Sequence, residues 1–107
     1  MRRVGLEGEK RAREFLISKG LKIISTNFHS RFGEIDIIAK SSEGIHFIEV
    51  KSTKHEDALE RITPSKIDKI IKTINYYQMK NPFSSNYQID AIVVNPKGVE
   101  WIQNIVN

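Results

Sequence analysis

The sequence predicts an α/β fold in which a central mixed β-sheet is flanked by helices. Two segments carry apolar residues at helical spacing, and five carry β-branched or aromatic runs bounded by turn residues. The predicted order is α-β-β-β-α-β-β, and helices at intervals among the strands of a mixed sheet favour an α/β sandwich. With 107 residues, we expect residues 1–107 to form a single domain.

Each helix is predicted from an apolar stripe and its end signals. The first, residues 4–19, carries its stripe through Ala12 and Leu16. The second begins at Thr63-Pro64, because threonine caps a helix and proline suits its first position, and it ends before Asn81-Pro82. The strands are predicted at residues 21–28, 34–40, 45–51, 87–94 and 99–106, the last as a strand or a mixed end. We expect a loop at residues 52–61.

Composition excludes several classes of site. The chain has no cysteine, which excludes disulfides, cysteine-ligated zinc, iron–sulfur clusters and a thiol nucleophile. No apolar run approaches the ~20 residues of a membrane span, and the basic N-terminus is not followed by the apolar segment of a signal peptide. We therefore expect a cytoplasmic protein without a membrane partner. A net charge of +4 permits nucleic acid as a partner without requiring it.

The second and third strands predict an acidic pair. If they form an antiparallel hairpin across residues 41–44, facing residues sum to 85, so Asp36 faces Glu49 and Glu34 faces Lys51. Side chains alternate along a strand, so Lys51 shares the face of both carboxylates. Facing carboxylates repel, and a Mg²⁺ or Mn²⁺ ion would offset that cost while binding substrate phosphate.

Structural alternatives to this metal site stay open. Glu34 and Lys51 could form an ordinary cross-strand ion pair, and a slip of one residue in register would send Asp36 to the other face. On the second helix, a lysine every third residue could follow a phosphate backbone or form a solvated face. The lysines concerned are Lys66, Lys69 and Lys72.

Several short motifs, in order along the chain, resemble those of the YraN-like proteins, small bacterial proteins similar to PD-(D/E)XK nucleases and, distantly, to archaeal Holliday-junction resolvases. The matching segments are Gly5-Leu6-Glu7-Gly8-Glu9, Asn27-Phe28, Gly33-Glu34-Ile35-Asp36, Phe47-Ile48-Glu49-Val50-Lys51, Thr63-Pro64-Ser65-Lys66 and Ile89-Asp90. The resemblance covers nearly the whole chain. It implies a restriction-endonuclease-like core, which agrees with the predicted element order.

The resemblance also implies roles for individual residues. Asp36 and Glu49 match the acidic metal ligands, with the Val50 carbonyl as a third ligand, and Lys51 matches the catalytic lysine. Glu9 matches an acidic residue that often completes the site, although a solvated carboxylate paired with Arg13 is the plainer interpretation. Residues expected to contact nucleic acid are Arg31, Lys54, Lys66 and Lys69.

These observations favour a Mg²⁺- or Mn²⁺-dependent endonuclease acting on DNA, with branched or single-stranded DNA as candidate substrates. One alternative is a nucleic-acid-binding module that keeps the fold without significant turnover. Another is a small interaction domain whose acidic cluster is structural. Because resolvases cut two strands symmetrically, the resemblance also admits a homodimer.

Overall fold

Five strands form one mixed sheet in the computed structural model, which describes residues 2–52 and 62–106. The elements are α1 (Arg2–Ser18), β1 (Lys22–Ser30), β2 (Gly33–Ser41), β3 (Gly44–Ser52), α2 (Pro64–Lys80), β4 (Tyr87–Asn95) and β5 (Gly98–Ile102). The strands lie in sequence order across the sheet; β3 and β4 are parallel, and the other neighbours are antiparallel. The predicted class and element order are confirmed. Neither of these helices is long and apolar enough to cross a membrane.

The two helices cover opposite faces of the sheet. Ala12 and Leu16 of α1 pack against one buried cluster, which includes Ile37 and Ile48. Ile70 and Ile74 of α2 pack against the other cluster. Alternation along the strands supplies each layer, because successive side chains point to opposite faces. The second cluster includes Ile38 and Phe47.

Helix α2 begins and ends where the sequence predicts. The side chain of Thr63 accepts a hydrogen bond from the backbone N–H of Lys66 at 3.2 Å, and Pro64 occupies the first turn. At the other end, the backbone N–H of Asn81 donates to the Tyr77 carbonyl at 2.7 Å. This helix lies in the connection between the parallel strands β3 and β4, and it packs mainly over β2.

The predicted end of the first strand is wrong. The strand continues through Asn27 to Ser30, because Asn27 takes a left-handed backbone conformation (φ 52°) and pairing resumes at Phe28. The last segment is the mixed end that the sequence allows: the strand stops at Ile102, and the backbone N–H of Asn104 then donates to the Asp90 carboxylate. Of the predicted loop, residues 53–61 lie outside the described part of the chain.

Candidate active site

The β2–β3 hairpin has the predicted register but ends earlier than expected. Lys40 pairs with Ile45, and the ladder runs to Ile37 opposite Ile48. The predicted pairings of Asp36 with Glu49 and of Glu34 with Lys51 lie beyond its end. The connecting turn is also shorter than predicted, because residues 41 and 44 are themselves paired.

Beyond the ladder, the side chain of Asp36 replaces a backbone acceptor. A continued register would set Val50 opposite Ile35, yet the Val50 N–H donates to Oδ2 of Asp36 at 2.8 Å. Asp36 is buried, with 8% of its surface exposed. A buried carboxylate needs such a donor, and this one fixes the carboxyl group at the end of the hairpin.

Asp36 and Glu49 form a hydrogen-bonded carboxyl pair. Burial raises the pKa of Glu49 from 4.5 to about 8, and the hydrogen bond and negative charge of Asp36 act in the same direction. The ammonium groups of Lys51 and Lys66 lower this pKa, with a smaller effect. At neutral pH Glu49 therefore holds a proton, and a divalent cation bound by both carboxyl groups would displace it.

Lys51 lies beside this pair, on the face predicted for it. Burial lowers the pKa of Lys51, and the nearby Lys66 adds to the effect, whereas Glu49 and Asp36 raise it. Two ammonium groups held close together are a costly arrangement in the absence of an anion. Their proximity suits a site that receives a phosphate group.

These side chains line a cleft of about 270 Å³ between the sheet and α2. The sheet contributes Glu34 from β2 in addition to the residues described above, and α2 contributes Lys66, Lys69 and Ile70. Three carboxyl and three ammonium groups thus share one small cavity. Such mixed charge in a cleft is typical of a site that binds a charged ligand together with a cation.

The donor set fits a magnesium ion that keeps part of its water shell. Mg²⁺ is commonly bound by one or two carboxylates, with water and phosphate oxygens completing the octahedron. Asp36 and Glu49 supply the two carboxylates. Within residues 2–52 and 62–106, no three His, Cys, Asp or Glu side chains gather closely enough to hold a metal. The remaining ligands would therefore come from the backbone, water or substrate.

Glu9 lies on the helix that covers the other face of the sheet. It is buried, with 6% of its surface exposed, and it follows Gly8, which lies against Ser52 at the end of β3. A Cβ atom at Gly8 would collide with the side chain of Ser52. Glu9 is absent from the described lining of the cleft, so its part in the site stays a prediction.

The residues predicted to contact nucleic acid fall into three groups. Lys66 and Lys69 are exposed and line the cleft. Arg31 is exposed in the β1–β2 turn, where its guanidinium lies 5.0 Å from the ring centre of Phe32, outside the described lining. Lys54 lies outside the described residues. The Val50 side chain packs under α1, so only its backbone faces the hairpin end.

Sequence reasoning left a second buried polar cluster without a role. Nδ1 of His46 lies 2.7 Å from Oδ2 of Asp90, and Nε2 of His46 lies 2.7 Å from Oγ of Ser41. Trp101 Nε1 donates to the same Asp90 oxygen at 3.0 Å, while Gln88 donates to the other. The cluster links β2, β3, β4 and β5. By alternation along β3, His46 lies on the face opposite Glu49, where it is buried.

Comparison with known proteins identifies the family. The sequence pattern of the uncharacterised protein family UPF0102 matches residues 8–94. A UPF0102 protein of Campylobacter fetus is 52% identical over 102 residues, which cover 94% of this chain and 91% of the relative. UPF0102 proteins of Campylobacter jejuni and of a Nitratiruptor species are 47% and 46% identical, with 91% of each relative covered. The chain therefore belongs to the UPF0102 family, the YraN-like proteins that its motifs resemble.

Proposed function

We propose that the protein is a Mg²⁺- or Mn²⁺-dependent endonuclease that hydrolyses phosphodiester bonds in DNA in the cytoplasm, with branched or single-stranded DNA as its candidate substrates. One observation carries the proposal. The cleft under α2 combines a hydrogen-bonded carboxyl pair, Asp36 and Glu49, with the three lysines Lys51, Lys66 and Lys69. Carboxylates suit a hard cation, and ammonium groups suit phosphate oxygens.

Asp36, Glu49 and the carbonyl of Val50 would hold the metal, which would supply an acidified water and polarise the scissile phosphate. The Val50 N–H keeps the Asp36 carboxylate oriented before any ligand arrives. Glu49 must release its proton to bind the cation, so its raised pKa couples metal binding to pH. Glu9 would assist from α1, as the resemblance implies.

The three lysines of the cleft would contact different parts of the substrate. Lys51 lies next to the carboxyl pair, so its ammonium would neutralise charge that develops on the phosphate as the bond breaks. Lys66 and Lys69 lie across the cleft on α2, where they would hold the backbone of the nucleic acid. Arg31, which lies outside the described lining of the cleft, and Lys54 would add further contacts to the nucleic acid.

A cleavage panel tests this function. Linear, nicked, single-stranded and four-way-junction DNA would each be incubated with the protein in Mg²⁺, in Mn²⁺ and in chelator. We expect metal-dependent cleavage of at least one substrate. Binding without cleavage would favour the nucleic-acid-binding module, and neither binding nor a metal effect would leave the acidic pair with a structural role. The mass of the protein in solution and on DNA tests for a homodimer.

A further inference from the structure

We infer that Asn27 is a positioning residue, which turns the end of the β1–β2 hairpin toward α2 and thereby sets the Asp36 carboxylate at the cleft. The importance of Asn27 for catalysis rests on the function proposed above. Its effect on the position of Asp36 follows from strand pairing and local contacts, whatever the function is. The observation behind it is a change of face in the middle of two paired strands.

Side chains in β1 and β2 switch from one layer to the other between two neighbouring pairs. Thr26 pairs with Ile37, and Phe28 pairs with Ile35. Residues two apart on a regular strand point to the same face. Yet Ile37 packs under α1, whereas Ile35 and Phe28 pack under α2. The strands are therefore rotated between these pairs, at Asn27 and Asp36.

Asn27 has the backbone conformation that such a rotation needs. Its φ of 52° lies in the left-handed region, and asparagine enters that region far more readily than β-branched residues do. Asn27 and Asp36 have no partner in the β1–β2 register, although pairs on both sides share one register. The interruption at Asn27 therefore leaves the register unchanged, in contrast to the register shift between Ile23 and Ser25 nearer the start of β1.

The rotation brings the hairpin end down onto α2. Oγ of Ser30 lies 3.0 Å from Oγ1 of Thr73, which in turn donates to the backbone carbonyl of Lys69. A Cβ atom at Gly33 would lie 3.9 Å from both Thr73 Oγ1 and Lys69 Cβ. These contacts close one wall of the cleft next to Lys69.

The rotation also determines where β2 leaves β3. The β2–β3 ladder stops at Ile37, the last residue before the irregularity. At the next residue, the Asp36 side chain accepts a hydrogen bond from the Val50 N–H. An ordinary extended residue at position 27 would favour continued pairing, which would move Asp36 away from that N–H and from Glu49.

Amide hydrogen exchange at Val50 tests the inference without metal or DNA. Three variants are compared with wild type: Asn27→Gly, which keeps access to left-handed φ, Asn27→Val, which opposes it, and Thr26→Val, the same new side chain one residue earlier. We expect Asn27→Val to speed exchange at Val50 by ~10-fold or more relative to amides of β4. Asn27→Gly and Thr26→Val should leave the Val50 rate close to that of wild type.

Two results would overturn the inference. The first is an unchanged Val50 rate in folded Asn27→Val, and the second is a Val50 rate in Asn27→Gly as fast as in Asn27→Val. If Asn27→Val does not fold, Asn27→Ala, which lacks the branched Cβ, takes its place under the same criteria. Mn²⁺-induced stabilisation is then measured on the same variants. A wild type without that stabilisation would count against the nuclease proposal, whereas the exchange rates judge Asn27 independently.

Discussion

The backbone N–H of Val50 donates a hydrogen bond to Oδ2 of Asp36 at 2.8 Å. Both residues lie just beyond the last pair of the β2–β3 ladder, Ile37 and Ile48. This one hydrogen bond therefore links β2 to β3 beyond the end of their ladder and also orients Asp36, the first proposed metal ligand. A carboxylate that is already held by the backbone loses little freedom when a cation binds. Because of the same bond, removal of the Asp36 side chain would affect both the structure of the hairpin end and the binding of a cation.

Asp36→Asn should separate these two roles. Asparagine keeps an oxygen acceptor for the Val50 N–H and removes the negative charge that opposes Glu49. We expect an unchanged or raised melting temperature without metal, and loss of the stabilisation that Mg²⁺ or Mn²⁺ gives the wild type. Differential scanning fluorimetry across metal concentrations measures both, with the exposed Glu100→Gln as a control. A full metal-induced shift in Asp36→Asn would remove Asp36 from the site.

Glu49 should make the metal-free protein less stable as the pH rises. Its pKa is about 8 in the folded protein against an ordinary 4.5, so the folded state binds more protons than the unfolded chain between these values. Stability is then highest below pH 4.5 as far as Glu49 is concerned, and falls as the pH rises toward 8, by at most about 1.4 kcal/mol per pH unit. Glu49→Gln should lack this fall.

Urea denaturation in chelator from pH 5 to 9 checks the Glu49 effect. Glu43→Gln, in the exposed hairpin turn, serves as the matched control and should follow the wild type. If the free energy of unfolding of Glu49→Gln and of the wild type changed in parallel with pH, the raised pKa of Glu49 would be contradicted. Because the cation competes with that proton, metal affinity of the wild type should also increase with pH over the same interval.

Lys51→Ala should abolish turnover while sparing binding. The ammonium is not a metal ligand, and charge on the phosphate develops fully only in the transition state. We expect metal-induced stabilisation and most DNA affinity to persist, with single-turnover cleavage reduced by ~10²-fold or more. Lys51→Arg should not restore the rate, since a planar guanidinium cannot replace a compact ammonium. Lys40→Ala, at the other end of the hairpin, is the control; near-equal rates for Lys51→Ala and wild type would leave Lys51 with a structural role.

Lys66 and Lys69 should govern the salt dependence of DNA binding, and Lys72 should not. The first two line the cleft, whereas Lys72 is paired with Asp68 at 3.2 Å on an exposed part of α2. Each duplex phosphate contact contributes about −0.9 to the slope of log affinity against log salt concentration. Fluorescence anisotropy should show a flatter slope for the Lys66→Gln/Lys69→Gln double variant and an unchanged slope for Lys72→Gln. Equal slopes for all three proteins would assign both lysines to a solvated face.

Asp90→Asn should destabilise the fold without touching the cleft. Oδ1 of Asp90 accepts the backbone N–H of Asn104, and Oδ2 accepts the indole N–H of Trp101. Neither donor can become an acceptor, so either orientation of an asparagine amide would set an N–H against an N–H. We expect a loss of about 1–3 kcal/mol in the free energy of unfolding. The metal-induced increase in melting temperature should stay; its loss would connect this cluster to the site on the opposite face.

Local sequence signals determined most of the fold. Apolar spacing placed both helices, and the Thr63-Pro64 start needed only a capping side chain and a proline in the first turn. Alternation and an assumed four-residue turn at residues 41–44 were enough to predict the register from Lys40 opposite Ile45, and therefore the shared face of Glu49 and Lys51, although the turn itself is two residues shorter. These features depend on residues close together in the chain, which is why the sequence alone predicts them.

Contacts between distant residues decided the rest. The β2–β3 ladder stops before it reaches Asp36. The raised pKa of Glu49 depends mainly on burial, which no short segment of sequence specifies. Whether the α2 lysines form a solvated stripe or a cleft wall depended on how α2 packs, and Lys66 and Lys69 now line the cleft. An asparagine within a β-branched run was the one local sign of the irregular strand. The sequence by itself thus determined that Glu49 and Lys51 share a face. The tertiary structure decided how the end of the β1–β2 hairpin turns toward α2, because that turn requires a left-handed residue on β1 and a contact between Ser30 and Thr73, 43 residues further along the chain.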